Sequence, residues 1–569
     1  MSYRAYFSRK QFHSLLLAGS FTSVITFLVL LSDTLIVGNI VGTNGISGIA
    51  LVTPLYAVAA FFSGIIGMGA VYSYQNAMGK MDKDHADRIW GMSLILAIVF
   101  GVVACILMLL LRDFYLDIMD VSQEVRIEAA NYWKYEQFVV LLGPVFFLLS
   151  EMVFADGDEW VCTLSNICQV VGNIAFSVIA CNLLGTEGAS LGSLIGSVLS
   201  ISILCVHFLR KINSLHFVKH FSFKDLKRFI KFALNDSIIY LCLGVAFLIM
   251  TKFSISRFGD GVLPVVTIVQ NIIEMILVFD GVGAAFMPLA NVYVGENNFS
   301  RESGLANYAQ KWALLEGILA SALCFIFASH IPGLYDVNDP ELVSMSAKAI
   351  RILSPSLLFS SILFFWTSHY VATGRENFAS FITFLQNLVL MAILPILLCL
   401  WLGMEGLWWG CAVTPLVALV VMHFYGFAHR KCGKFPWLVK DSYEIHNFDI
   451  DVSPESVVNL REEIGTLLEK KRVCSKSLFQ AKLLIEDTIL LTLEKNPEKK
   501  LIAEVSLTFR EKDFILVFRN NGPIFDVTDA DGQITSFRSN VVYAMMSKIN
   551  SRQYLMTSGF NRQMFTLPI

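Results

Sequence analysis

Twelve windows of about 20 mostly apolar residues run along this chain, and that pattern narrows its fold more than any motif does. A helix of that length crosses roughly 30 Å of hydrocarbon, and in hydrocarbon only helices and closed barrels satisfy their own backbone. The windows fall near 14–38, 46–73, 89–111, 133–154, 161–182, 188–209, 231–256, 263–290, 308–329, 346–371, 379–402 and 406–428. With 55% hydrophobic and 16% charged residues and a mean hydropathy of +0.62, a soluble cytosolic enzyme is excluded. An even number of crossings puts both ends on one side. If that side is the cytoplasm, its segments up to residue 440 carry 20 Lys and Arg against 7 on the other side, as the positive-inside rule requires. The basic residues of Met1–Lys10 precede an apolar run from Phe12 to Ile40 that is too long for a cleaved signal, so a retained first span is expected.

Charge divides the chain again. Residues 441–569 hold 16 Lys and Arg and 18 Asp and Glu, far denser than the 27 and 28 spread over residues 1–440. A cytoplasmic domain therefore follows the membrane part, and the domains are read as 1–215, 216–435 and 436–569. A net charge of −3 gives no reason to expect nucleic acid as a partner. The eleven cysteines lie mostly inside apolar runs without CxxC or Cys/His spacing, which reads as packed thiols and no metal site. No Gly-x-x-x-x-Gly-Lys-Ser/Thr loop is present, which excludes P-loop ATP-driven transport.

The membrane part repeats. Leu184-Gly185-Thr186-Glu187-Gly188 with Gly192 recurs as Leu402-Gly403-Met404-Glu405-Gly406 with Gly410, 218 residues later. Gly157-Asp158-Glu159 recurs as Gly374-Arg375-Glu376, and Gly67-Met68-Gly69-Ala70 as Gly281-Val282-Gly283-Ala284, at nearly the same offset. Six crossings return the chain to its starting side, so two six-helix copies must be parallel, about an axis along the membrane normal. The expected fold is an all-α membrane protein of twelve helices in two parallel six-helix repeats, plus a C-terminal cytoplasmic α+β domain.

Asp33-Thr34-Leu35-Ile36-Val37-Gly38, Pro54, Gly64 and Gly79, Phe154-Ala155-Asp156-Gly157-Asp158, and Gly281 to Pro288 before Gly295 occur in an order that resembles the multidrug and toxic compound extrusion (MATE) family over residues 10–430. The resemblance implies secondary active efflux, in which a proton or Na⁺ moving inward drives an organic, often cationic, compound outward. Asp33 is the expected coupling residue. A carboxylate in the body of a span costs about 2.5–3.5 kcal/mol on insertion scales and marks a functional site by default; it can take a proton facing one side and give it up facing the other. Where many relatives carry an acid four residues after an Asn in span five, this chain has Asn173 and Ser177, and Leu243 and Ile362 stand near acids found in other relatives.

Substrate-pathway candidates are Asn173, Asp236, Gln270, Glu274 and Asp280. Gln270 and Glu274, one turn apart, could line a cavity together, or Glu274 could pair with a base such as Lys252. Asp280 is six residues on from Glu274, about 240° around an ideal helix, so the two are not expected to share a face. Asp236 and Asp280 also read as turn or helix-end residues. A cavity-facing Glu274 would suit a cationic substrate, with cation–π help from aromatic side chains.

After the basic stop Arg430-Lys431-Cys432-Gly433-Lys434, the tail is expected to form helices at Ser453–Lys470, Ser475–Leu493 and 538–549. Strands are expected at 501–510, 513–519, 552–557 and 562–567. Leu484-Ile485-Glu486-Asp487-Thr488, Phe518 to Asp526 and Gly559-Phe560-Asn561-Arg562 resemble the ATP-binding fold of histidine kinases and anti-sigma-factor kinases. That resemblance implies nucleotide-site roles for Glu486, Asn520 and Gly522. Yet Leu490 replaces the Mg²⁺-binding Asn, Asn520 the adenine Asp and Ile524 the second Gly, and the lid stretch Phe537-Arg538-Ser539-Asn540 has no glycine. Leu cannot ligate Mg²⁺, so a degenerate, regulatory domain is expected, with no enzymatic activity and no cofactor.

The resulting expectation is an exporter of small organic cations in the bacterial inner membrane, both termini cytoplasmic, with room for a cytoplasmic protein partner of the tail. A flippase for a lipid-linked or polymeric substrate and a membrane sensor signalling through the tail are the alternatives.

Overall fold

A computed structural model describes residues 6–79, 82–156, 158–210, 213–429, 443–494, 501–522, 550–555 and 561–569. The basic stop, the stretch 523–549 with its expected helix and lid residues, and Gly157 lie outside the described residues. In chain order the helices are α1 (Tyr6–Ile40), α2 (Thr43–Gly79), α3 (Lys83–Met119), α4 (Gln123–Ala155), α5 (Glu159–Leu184), α6 (Thr186–Cys205), α7 (Phe223–Phe258), α8 (Leu263–Glu274), α9 (Asp280–Gly295), α10 (Phe299–Phe327), the short α11 (Ile331–Leu334), α12 (Pro340–Ala372), α13 (Glu376–Phe384), α14 (Met391–Leu402) and α15 (Met404–His429). Among the described residues, eleven helical segments are long and apolar enough to cross a membrane, from Thr43–Tyr74 to Met404–Ala428. The 35-residue α1 precedes them.

Two of these segments are not uniform. Between α8 and α9 the chain tightens into a 3₁₀ stretch, Met275–Phe279. Between α13 and α14 it loosens into a π turn, Leu385–Leu390. Such interruptions redirect side chains along a span and often mark functional positions. The first also removes the premise of the 240° estimate for Glu274 and Asp280, which assumed one ideal α-helix between them.

The repeated Leu-Gly-x-Glu-Gly motif folds the same way twice. Gly185 ends α5 at φ 67°, ψ −143°, and Gly403 ends α14 at φ 62°, ψ −145°. Only glycine enters that region without strain. Each turn is closed by the same bond, Gly188 N–H to Gly185 O at 2.9 Å and Gly406 N–H to Gly403 O at 3.0 Å. The next glycine, Gly192 or Gly410, then lets two helices touch, since a Cβ there would lie within 2.4 Å of Ser177 or Pro395.

The chain forms two compact units. One joins Ser20–Asp280 with Ala313–Tyr425; its core includes Phe247, Val266, Ile268, Leu353 and Trp408. The other joins Met1–Gly19, Gly281–Trp312 and Gly426–Ile569. Its sheet runs in the order β1 (Glu444–Asp451), β2 (Ile502–Phe509), β3 (Asp513–Asn520), β5 (Asn561–Pro568), β4 (Asn550–Leu555), with every neighbouring pair antiparallel. Phe448, Val505, Leu516 and Phe565 face a core shared with Val457, Leu460 and Leu468 of α16 (Pro454–Lys470) and Leu484 and Ile485 of α17 (Ser475–Glu494). Ser453 starts α16 by accepting from the Ser456 N–H, and Ser456 returns a bond to the Ser453 N–H. The edge strand β1 was not anticipated from sequence. Glu-Ile-His-Asn-Phe-Asp-Ile-Asp is mostly polar, but it alternates, placing Phe448 and Ile450 in the core.

Candidate functional site

Asp33 lies in the second half of α1 and is 8% exposed. Its carboxylate accepts from the Tyr132 hydroxyl of α4 at 2.8 Å and from the Ser193 hydroxyl of α6 at 2.9 Å. Ser193 accepts in turn from Asn173 Nδ2 of α5 at 2.6 Å, and Asn173 Oδ1 accepts from Ser32 Oγ at 3.0 Å. The local cause is small side chains: Gly192, held against Ser177, brings α5 and α6 close enough for Asn173 to reach Ser193. Ser177 itself donates to Ala189 O at 3.0 Å and belongs to that helix contact.

A second carboxylate completes the cluster. Glu136 follows Tyr132 by one turn on α4, is 4% exposed, and its Oε2 has no hydrogen-bond partner among the described residues. Neither Asp33 nor Glu136 makes an ion pair among them. A buried polar cluster with two carboxyl groups, hydroxyls and an amide can exchange a proton, hold a small cation, or balance a cationic ligand.

Of the sequence candidates, Asp33 and Asn173 are thus brought together. Glu136, Tyr132 and Ser193 were missed. Glu136 has the same signal as Asp33, a carboxylate within a helix of the membrane part; the expected span near 133–154 begins ten residues inside the observed α4.

The other candidates lie elsewhere. Gln270 is 2% exposed and donates to Thr251 Oγ1 of α7 at 3.0 Å, so it ties α8 to α7. Lys252 does not pair with Glu274 either; it donates to Ile118 O and, at 3.0 Å, to Met119 O, capping α3. Glu274 is half-buried at the end of α8, and Asp280 is exposed at the start of α9. Asp236 lies in α7, with its side chain outside the described residues. A small cavity of the same unit is lined by Ser356, Ser360, Gln386 and Asn387 among apolar neighbours, without Gln270 or Glu274.

In the sheet unit, Glu486 is engaged by Arg461 Nη1 at 2.5 Å. Asn520 Oδ1 accepts from the Gly522 N–H at 3.0 Å, and its Nδ2 lies 3.4 Å from Thr492 Oγ1. Both side chains therefore have partners within the unit.

The MatE family model matches the chain twice, over residues 19–179 and 237–397, at the same 218-residue offset that separates Gly185 from Gly403. The Multidrug export protein MepA of Staphylococcus haemolyticus is 22% identical over 424 residues, covering 73% of this chain and 92% of its own. Its counterpart in Staphylococcus aureus strain MSSA476 is 22% identical over 399 residues, covering 68% and 86%. Among solved structures, an inward-facing multidrug resistance MATE family transporter of the MOP superfamily superposes with a TM-score of 0.66 at 20% identity, over 71% of this chain and 94% of that one. An outward-facing one gives 0.61 at 20% identity, over 74% and 96%.

Proposed function

The chain belongs to the MATE family, and from that premise we propose that it is a secondary active exporter of organic, predominantly cationic compounds, exchanging them for protons or Na⁺. The carrying observation is the buried Asp33 cluster, in which Asp33 is held by the Tyr132 and Ser193 hydroxyls, Glu136 lies buried one turn from Tyr132, and no cationic side chain pairs with either carboxyl group among the described residues. Such a site is one negative charge or more short of neutrality, and a proton, Na⁺ or substrate cation supplies the balance in turn. Loading Asp33 redirects the donors Tyr132 and Ser193 and displaces a bound cation. The names of the relatives, which speak of multidrug export, support this reading over the flippase and sensor alternatives.

In the proposed architecture α1 is the twelfth span, and the doubled MatE match supports two parallel six-helix repeats. The excess of basic residues on one set of loops supports a bacterial inner membrane protein with both termini in the cytoplasm. The sheet domain is read as a degenerate ATPase-like module that regulates transport, open to a cytoplasmic protein partner. Leu490 and the engagement of Glu486 by Arg461 do not fit a Mg²⁺–nucleotide site, so no step is routed through ATP.

The test is accumulation of a fluorescent cationic dye in cells making the intact chain or Asp33→Asn, with and without an uncoupler. Lower dye with the intact chain, abolished by the uncoupler and by Asp33→Asn, is expected. Equal dye in all cells, with the protein present in the membrane, rejects cationic-drug export.

A further inference from the structure

A sheet packed on two helices ordinarily leaves its other face to water. Here every residue of β2 is buried, on both faces. The face opposite the helices carries a row of charges in register across four strands: Asp449 on β1 beside Glu504 on β2, Glu504 beside Arg519 on β3, and Arg519 beside Arg562 on β5. Read across the sheet, the row is negative, negative, positive, positive. Like charges directly opposite each other on adjacent strands are unfavourable by themselves, so an isolated sheet would gain nothing from the Asp449–Glu504 or the Arg519–Arg562 pairing.

The hairpin joining α9 to α10 supplies the complement. Arg301, 7% exposed, donates from Nη2 to Asp449 at 2.6 Å and lies 3.8 Å from Glu504 through Nε. Glu296 accepts from Arg519 and, at 2.6 Å, from Arg562 Nε. The six side chains balance three against three. Tyr293 adds a hydroxyl bond to Glu504 at 2.8 Å, and its ring lies 5.1 Å from the Arg519 guanidinium. Asn298 donates to Asn447 at 2.8 Å. Asp449, Glu504 and Arg519 are at most 2% exposed, so these are dry contacts and not the solvated pairs that contribute little.

We propose that this charged sheet face is a docking surface keyed to the α9–α10 hairpin of its own chain, and that the exporter must hold the hairpin docked in order to transport. The positive member of the hairpin fits only the acidic half of the row and the negative member only the basic half, so the key specifies register as well as affinity. Because α9 and α10 are the arms of one cytoplasmic hairpin, whatever holds the hairpin restrains the two spans it connects. The transport half of the proposal rests on the export reading above; the docking half does not.

The test uses the full chain carrying Asn298→Cys and Asn447→Cys, a short bis-maleimide, and a protease site inserted within 430–442, with a chain lacking the two new cysteines as control. Cleavage then releases the sheet domain unless it is crosslinked to the hairpin. Arg301→Glu, which puts a third negative charge against Asp449 and Glu504, is expected to lower crosslinking at least about tenfold, because stripping the partner from a buried pair is costly. Dye export should fall with it. Arg301→Glu combined with Asp449→Arg is expected to restore both to within about twofold of the intact chain, which a merely misfolded variant would not do. Undiminished crosslinking in Arg301→Glu overturns the docking key. Export kept or raised when crosslinking is lost, or crosslinking restored without export, overturns the requirement for docking. If the intact chain exports no dye, the export reading falls together with the transport half, while the crosslink still decides the docking.

Discussion

Asp33 with Glu136, and Arg301 with Asp449 and Glu504, are both buried charge clusters, built on opposite rules. In the first, Asp33 meets two hydroxyls, Glu136 is buried one turn from Tyr132, and no cationic side chain pairs with either acid among the described residues. In the second, each acid meets a guanidinium and the charge closes on itself. An unbalanced site has something to gain from a passing cation, and a balanced one has something to lose from being opened. The first suits exchange and the second suits holding.

The largest separation of the two is expected from Asp33→Asn. Dye export should vanish while the Asn298–Asn447 crosslink stays at the intact level; loss of the crosslink as well would show that the clusters are not independent. Arg519→Ala leaves Glu504 and Glu296 buried against less charge, and is expected to cost about 3–5 kcal/mol of stability in the sheet unit. Hydrogen exchange of β2 and β3 amides measures it, and Asp33→Asn should leave those amides unchanged. Tyr132→Phe removes one bond to the Asp33 carboxylate, about 1.5–3 kcal/mol for a bond to a charged group. Export should weaken about tenfold or more without being abolished, read from initial efflux rates.

The smallest effect is one of pH. Burial raises the Glu504 carboxyl above its ordinary 4.5, with Arg301 pulling the other way. A raised acid favours the folded unit below the ordinary value, and that contribution is lost as pH rises through the raised value. Melting of the intact chain in detergent should therefore show a decline between pH 5 and pH 8 that Glu504→Gln flattens. An identical slope in both would remove Glu504 as its source.

What sequence made legible follows from which forces are local. The helical spans were readable because hydrocarbon forces each segment to satisfy its own backbone, and the paired turns at Gly185 and Gly403 because a positive φ combined with a ψ near −145° demands glycine. Asp33 stood out as a charge in an apolar run. Its partners did not: serines such as Ser193 are common in spans, and only the approach of α5 and α6 selects this one. The bond from Gln270 to Thr251 was not legible, because spacing on one helix says nothing about a residue on another. β1 was hidden because its polar residues Asp449 and Asn447 find their partners far away in sequence, at Arg301 and Asn298.

The most direct test of the Asp33 cluster as the coupling site is dye movement in proteoliposomes holding the purified full chain, under an imposed proton gradient and, separately, an imposed Na⁺ gradient. The intact chain should drive dye against its own gradient with one of the two, and Asp33→Asn with neither. Equal dye accumulation by Asp33→Asn and the intact chain would contradict the assignment.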